Sequence, residues 1–325
     1  MLAKAIRIAA TGGPEVMEYV ELEAPGPGPG EARIVQHAIG LNFIDVYFRT
    51  GLYPQPLPGL LGKEGAGVVE AVGEGVTHVK PGDRVAYAGG PLGAYASART
   101  MPARFLVKLP ESIDFETAAA MMLQGLTVQY LLRQTYQVKA GDTILFHAAA
   151  GGVGLIACQW ARALGVNLIG TVGSQEKGEL ALAHGAAHVI NYRNEDIAAR
   201  VREITKGEGV PVVYDSIGKD TFIASLDCLQ RRGLMVSFGN ASGAVEPFAP
   251  AELSKRGSLF LTRPTLFDYM ATQEEQEAMT SELFEMVGSG RVLVEVHQRF
   301  ALAQAADAHR ALEARSTTGS TVLLP

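Results

Sequence analysis

The stretch TILFHAAAGGVGLIACQWARALG, residues 143–165, decides the fold. Four apolar or β-branched residues run into a cluster of small ones, and a helix-like segment follows. Glycines stand at 151, 152 and 154, and Ala149 occupies the place where a dinucleotide-binding fingerprint carries its first glycine. On this fragment alone, a packing turn and a phosphate cradle are equally consistent. The setting favours the cradle. A strand precedes the loop and a long helix follows it. Gly151 lets the backbone approach a pyrophosphate, the N–H groups of Gly152, Val153 and Gly154 open a helix whose N-terminus attracts anions, and Gly154 permits close helix–strand packing.

Downstream the alternation repeats. NLIGTVG, HVINY, VPVVYDSIG and LMVSFGN read as strands, and QEKGELALAHG, EDIAARVREITKG and TFIASLDCLQRRG as helices. These strands are apolar runs without strict alternation, as expected where both sheet faces are covered. Repeated βα units with short links predict a right-handed, doubly wound parallel sheet. The first third differs. KAIRI, MEYVELE, ARIVQHAIGL, GAGVVEAVGEGV and DRVAYA are short β-rich segments between Pro/Gly turns, the pattern of a mostly-β body. The segment FETAAAMMLQGLTVQYLLRQTY joins the two regions as a helix, and the residues after about 265 return to mixed character.

The tip of the second cofactor-domain strand selects the nucleotide. An enzyme that grips a ribose 2′-hydroxyl carries Asp or Glu there. This chain has Gly173 and Ser174, and Lys177 follows one turn later. A hydroxyl and an ammonium suit a 2′-phosphate, which a carboxylate repels, so NADPH is expected. Lys177 by itself is an ordinary helix-start lysine and gains weight only beside the missing acid. Tyr192, after the third strand, borders the same place.

Composition narrows the rest. The chain has 325 residues, enough for two domains, with 47% hydrophobic and 19% charged residues. A net charge of −6 speaks against nucleic acid or an anionic membrane as the main partner. Two cysteines, Cys158 and Cys228, exclude a disulfide framework or a cysteine-rich metal site. No run approaches the ~18 apolar residues of a membrane span, and the start has no signal-peptide pattern, so a cytoplasmic protein is expected.

Six segments then fall into a known order: NFIDVYFRTGLYP (42–54), GKEGAGVVEAVGEGV (62–76), KPGDRV (80–85), HAAAGGVG (147–154), VVYDSIG (212–218) and GLMVSFGNASG (233–243). Together they resemble the zeta-crystallin-like quinone oxidoreductases, a zinc-free branch of the medium-chain dehydrogenase/reductase superfamily. The resemblance implies a GroES-like substrate domain, residues 1–124 and 266–325, split around a Rossmann domain, residues 125–265. It implies NADPH as hydride donor, a quinone acceptor in the interdomain cleft, and a homodimer. Zinc-dependent members carry Gly-His-Glu where this chain has Gly62-Lys63-Glu64, and the partner cysteines are absent, so no metal site is expected. Lys63 and Glu64 are read as an ion pair holding a glycine-rich turn, in preference to a direct role.

The resemblance also places residues. Asn42 and Asp45 line the nicotinamide side, and Tyr47 is the candidate hydroxyl near the reacting carbonyl. Gln124, Thr127 and Tyr130 form a second wall. Ser216, Phe238, Gly239 and Arg263 clasp the nicotinamide half from the far strands. Arg315 is either an adenosine-phosphate contact or a helix C-terminal arginine favoured by the dipole. Two alternatives to quinone reduction stand beside it: a 2-alkenal or enoyl reductase of the same superfamily, and a non-catalytic NADPH-binding protein. An RNA-binding role is the weakest, given the acidic charge.

Overall fold

Six parallel strands form the sheet that the central repeat demands. They are Thr143–Phe146, Asn167–Val172, His188–Asn191, Val210–Asp215, Leu229–Ser237 and Phe260–Thr262, in the spatial order third, second, first, fourth, fifth, sixth. This is the doubly wound order, and its switch point lies between the first and fourth strands, where ligands bind at the carboxyl ends. The computed structural model describes all 325 residues.

Two compact units divide the chain: Met1–Gln124 with Val294–Pro325, and Gly125–Leu293. The sequence reading assigned residues 266–293 to the β-rich unit, and the structure puts them in the other. The helix Gln273–Gly288 packs there for identifiable reasons. Leu283 fills the space left by Gly125, Glu282 accepts from Gln129 and Arg133, and Tyr269 stacks on Tyr130 with ring centres 4.6 Å apart. Gln159 then holds the segment's end with two hydrogen bonds to the Leu293 backbone, at 2.8 and 2.9 Å. A second difference is local. The helix expected over TFIASLDCLQRRG ends at Cys228, and Leu229 already pairs with Val210 as a strand.

The first unit is a β body of two sheets. One has three strands; the other is led by Glu31–Gly40 and Glu64–Val72 and receives the terminal strand Ser320–Leu324 against Gly40. Alternating residues such as Ile6, Ile8, Ile34, Val85 and Leu323 turn inward to make one core. Across this body lies the helix Phe43–Thr50, closed by Gly51 in the left-handed conformation.

One arginine fixes that helix. Arg49 is 1% exposed, donates through Nε to the Gly12 carbonyl at 3.1 Å, and grips Glu313 with two bonds of 2.7 and 2.8 Å. The Arg49→Met substitution should lower unfolding free energy by about 3 kcal/mol, the low end for a broken buried pair, because part of Glu313 stays in water. Guanidinium unfolding tests this, and an unchanged midpoint would deny the clamp.

Candidate functional site

The glycine loop is built as a close crossing. The helix Gly152–Ala163 begins at Gly151, whose backbone is extended. A β-carbon at Gly154 would stand 2.6 Å from the Cα of Ala149, so the helix reaches the turn only because residue 154 has no side chain. Gly151 is different. A β-carbon there would meet only the Ala148 carbonyl, at 3.4 Å, so little within the chain requires glycine at this point. The bare backbone at 151 fits the approach of a phosphate from outside, and the cradle therefore fits a dinucleotide. The left-handed residue of the turn is Ala148, with φ 56°, not Ala149. The methyl group of Ala149 sits instead over Gly170 of the neighbouring strand, 2.5 Å from where a β-carbon would lie.

The second strand tip brings its expected residues together. Ser174 caps the helix Gln175–Ala183 by accepting from the Lys177 amide at 3.3 Å. Gly173 is kept small by Tyr192, whose hydroxyl lies 2.5 Å from the place of a β-carbon at 173. Gly173, Ser174, Lys177 and Tyr192 thus stand together at a strand tip that itself carries no acid, with Glu176 following in the first turn of the helix. The far-strand residues also meet. A β-carbon at Gly239 would stand 2.5 Å from the Ser216 carbonyl, and the Phe238 ring lies 5.7 Å from Phe146. Arg263 follows the sixth strand and is exposed.

Beneath these loops is a buried polar chain that the sequence reading missed. Ser225 donates to Asp215 at 2.8 Å, so its oxygen accepts the Nε2–H of His147 at 2.9 Å, and Thr171 donates to Nδ1 at 2.9 Å. Burial lowers the His147 pKa although Asp215 pulls the other way, which keeps the ring neutral. The other oxygen of Asp215 accepts from the amides of Ile217 and Gly218 and from Thr221. One carboxylate thereby shapes the loop that carries Ser216. Its signal was the aspartate closing the otherwise apolar run VPVVYD.

In the other unit, Asn42, Asp45 and Gln124 belong to one buried network with Glu64. Asn42 donates to Glu64 at 2.6 Å, and Gln124 accepts from Ser320 at 2.8 Å. Asp45 closes the start of the helix Phe43–Thr50 by accepting from the Asn42 amide at 2.9 Å. It also accepts from Tyr95 at 3.0 Å. His309 donates its Nε2–H to that same Tyr95 oxygen, and Arg49 donates to its Nδ1. Burial, aided by Arg49, pushes the His309 pKa down to about 3, which fixes this polarity. Tyr47 is buried, with its ring edge-on to Tyr53 at 5.2 Å. Thr127 and Tyr130 are buried on their helix in the dinucleotide-binding unit. Arg315 lies just past the helix Ala305–Glu313 with φ 56°, the conformation of a residue ending a helix.

Lys63 and Glu64 do not form the expected ion pair. Adjacent residues of extended chain point to opposite faces. Glu64 turns inward to Asn42 and to the Leu123 amide, while Lys63 donates to the Gly90 carbonyl at 2.6 Å.

Complete burial outweighs the hydrogen bonds that Glu64 and Asp45 accept. It pushes their pKa values up to about 8 and about 7. An acid raised in the folded state contributes its full stability below its unfolded pKa and loses it as pH climbs through the folded value. Buried neutral His147 and His309 act oppositely, but only below the ordinary histidine value of 6.5. Between about pH 6.5 and 8, stability should therefore fall with rising pH, by about 1.4 kcal/mol per unit for each retained proton. The Glu64→Gln variant should show a shallower fall in denaturant titrations across that window; an identical slope would assign the charge elsewhere.

Comparison with known proteins places this geometry. Residues 28–111 match the family described as the alcohol dehydrogenase GroES-like domain, and residues 152–287 the family described as zinc-binding dehydrogenase. A quinone oxidoreductase of Pseudomonas aeruginosa is 61% identical over the whole of both chains. A 2-haloacrylate reductase of a Burkholderia species is 48% identical, covering 97% of this chain and 96% of that one. The crystal structure of Escherichia coli quinone oxidoreductase complexed with NADPH superposes with a TM-score of 0.98 at 54% identity, covering 99% of this chain and 100% of that one. With its Rossmann sheet, its GroES-like unit and this likeness over its full length, the chain belongs to the quinone oxidoreductase family of the medium-chain dehydrogenase/reductase superfamily.

Proposed function

We propose that the chain reduces quinones with NADPH. The observation that carries this reading is the strand tip with Gly173 and Ser174 in place of an acid, beside Lys177 and Tyr192, on a chain 61% identical to a quinone oxidoreductase. When bound, the nicotinamide supplies a hydride. Gly151, Gly152, Val153 and Gly154 hold the pyrophosphate, and the strand-tip cluster holds the 2′-phosphate. Ser216, Phe238, Gly239 and Arg263 border the nicotinamide from the far strands. Asn42, Asp45, Gln124, Thr127 and Tyr130 line the reacting end, and Arg315 assists the nucleotide. Tyr47, Phe48 and Tyr53 give a planar acceptor an aromatic wall, with the Tyr47 hydroxyl toward its oxygen.

A second reading is reduction of a C=C bond beside a carbonyl, favoured by the 48% identity to a 2-haloacrylate reductase. It uses the same cofactor and differs in the acceptor. Steady-state assays of NADPH and NADH oxidation with 1,4-benzoquinone, 9,10-phenanthrenequinone and 2-alkenals decide between the two. Quinone turnover with a strong NADPH preference is expected. The Lys177→Glu variant should raise KM for NADPH at least about 10-fold, the effect of losing one charge-assisted phosphate contact, and leave NADH nearly unaffected. An unchanged ratio would remove Lys177 from the site, and no turnover of any quinone would sink the reading.

We further infer a homodimer. The strand Phe260–Thr262 ends the sheet with one edge unpaired, and Phe260 and Leu261 are 60% and 37% exposed. Such an edge invites a second copy. Light scattering should read twice the chain mass, and a Phe260→Lys variant should shift it toward one; a monomeric wild type would refute this. No helix is long and apolar enough to cross a membrane, and the two cysteines are buried and unpaired, which supports a cytoplasmic setting.

A further inference from the structure

Two cations reach one short turn of the β-rich unit. Lys63 donates to the Gly90 carbonyl at 2.6 Å, and Arg99 to the carbonyls of Pro91 and Leu92 at 2.9 and 3.3 Å. Arg99 is 7% exposed, and its other partner is the Tyr87 hydroxyl at 3.5 Å, so every group it touches is uncharged. The acid whose charge reaches Lys63 is Asp45, whose own pKa burial pushes up to about 7, so that it is only partly ionised at neutral pH. Arg99 therefore brings a buried positive charge with only uncharged hydrogen-bond partners to this corner, beside the Lys63 ammonium. That arrangement is costly unless negative charge arrives to meet it.

The ammonium of Lys63 also borders the aromatic wall. It stands 5.6 Å from the centre of the Phe48 ring. Phe48 packs edge-on against Tyr53 at 5.6 Å, and Tyr53 against Tyr47 at 5.2 Å. The groups around the amine include the Gly90 carbonyl from the turn, Asp45 and Phe48 from the helix Phe43–Thr50, and Arg99 from the strand Ala98–Pro102. Burial and the Arg99 charge lower the Lys63 pKa, while Asp45 opposes them, so the proton is held less tightly than on an ordinary lysine.

We propose that Lys63 is the acid of the reaction: its ammonium meets the oxyanion that forms on the acceptor and gives it a proton, while Arg99 sustains the positive field. The inference rests on the quinone-reductase reading above. Reduction adds a hydride, with its electron pair, to the quinone and leaves a hydroquinone anion. An N–H bond of Lys63 breaks as an O–H bond forms, giving the neutral hydroquinone, and the amine regains its proton from solvent.

The test uses two variants and two readouts. Lys63→Arg keeps the charge but holds its proton throughout the working range, and Lys63→Met removes both. With NADPH and 1,4-benzoquinone, both should lose at least about 100-fold in kcat, the usual worth of a positioned acid. The second readout needs no turnover. p-Nitrophenol added to the cofactor-free protein should show its phenolate band at a lower pH than in buffer, and the same shift with Lys63→Arg but none with Lys63→Met. Wild-type kcat in either variant, or an unchanged band shift in Lys63→Met, overturns the proposal. A Lys63-dependent band shift in a protein that reduces no quinone would instead retire the quinone reading and keep the oxyanion site.

Discussion

The dinucleotide-binding unit depends on how closely one helix lies against one turn. Only the absence of a side chain at Gly154 lets the helix Gly152–Ala163 meet the backbone of Ala148 and Ala149. That contact aims the first N–H groups of the helix at the space where the pyrophosphate is proposed to sit. It also sets the turn, and Ala148 bears the consequence. Its left-handed backbone costs a residue with a β-carbon roughly 1–2 kcal/mol. The His147, Thr171, Ser225 and Asp215 chain then holds the neighbouring loops from below with every polar group engaged. A rigid floor of this kind keeps the strand tips in place whether or not a ligand is present.

The β-rich unit solves a related problem with charge. Asn42, Asp45 and Glu64 sit where apolar packing would be cheaper, and each is held by named donors. The polarity of the bonds runs one way, from Arg49 through His309 and Tyr95 to Asp45. Because Arg49 blocks one nitrogen of His309, the ring has a single tautomer and the tyrosine a single orientation. Such a network specifies one arrangement of the helix Phe43–Thr50, which carries Asp45 and two rings of the aromatic wall, Tyr47 and Phe48.

Much of this was legible in the sequence because it follows from local rules. The βα alternation pointed to a doubly wound parallel sheet, and glycines at 151, 152 and 154 marked the helix start. The cluster at Gly173, Ser174, Lys177 and Tyr192 was readable as a missing acid. Ala149 was less so. Its methyl group is accommodated by a glycine 21 residues away, at 170, a long-range exchange that no window over the loop reveals. The same limit explains the misassigned segment 266–293, whose partners Gly125, Gln129 and Tyr130 lie about half the chain earlier. Glu64 was read as the partner of its neighbour Lys63. Alternation along a strand separates such neighbours, and only the fold shows which way each one turns.

The two inward carboxyls alter what the chain's net charge means. The formal value of −6 counts Asp45 and Glu64 as anions. With values of about 7 and about 8, the native protein at neutral pH holds at least one of these protons, whereas the unfolded chain holds neither. Folding is therefore a proton-uptake reaction. The folded molecule migrates in an electric field as a less acidic protein than its composition states, and its folding enthalpy depends on the ionisation heat of the buffer that donates the proton.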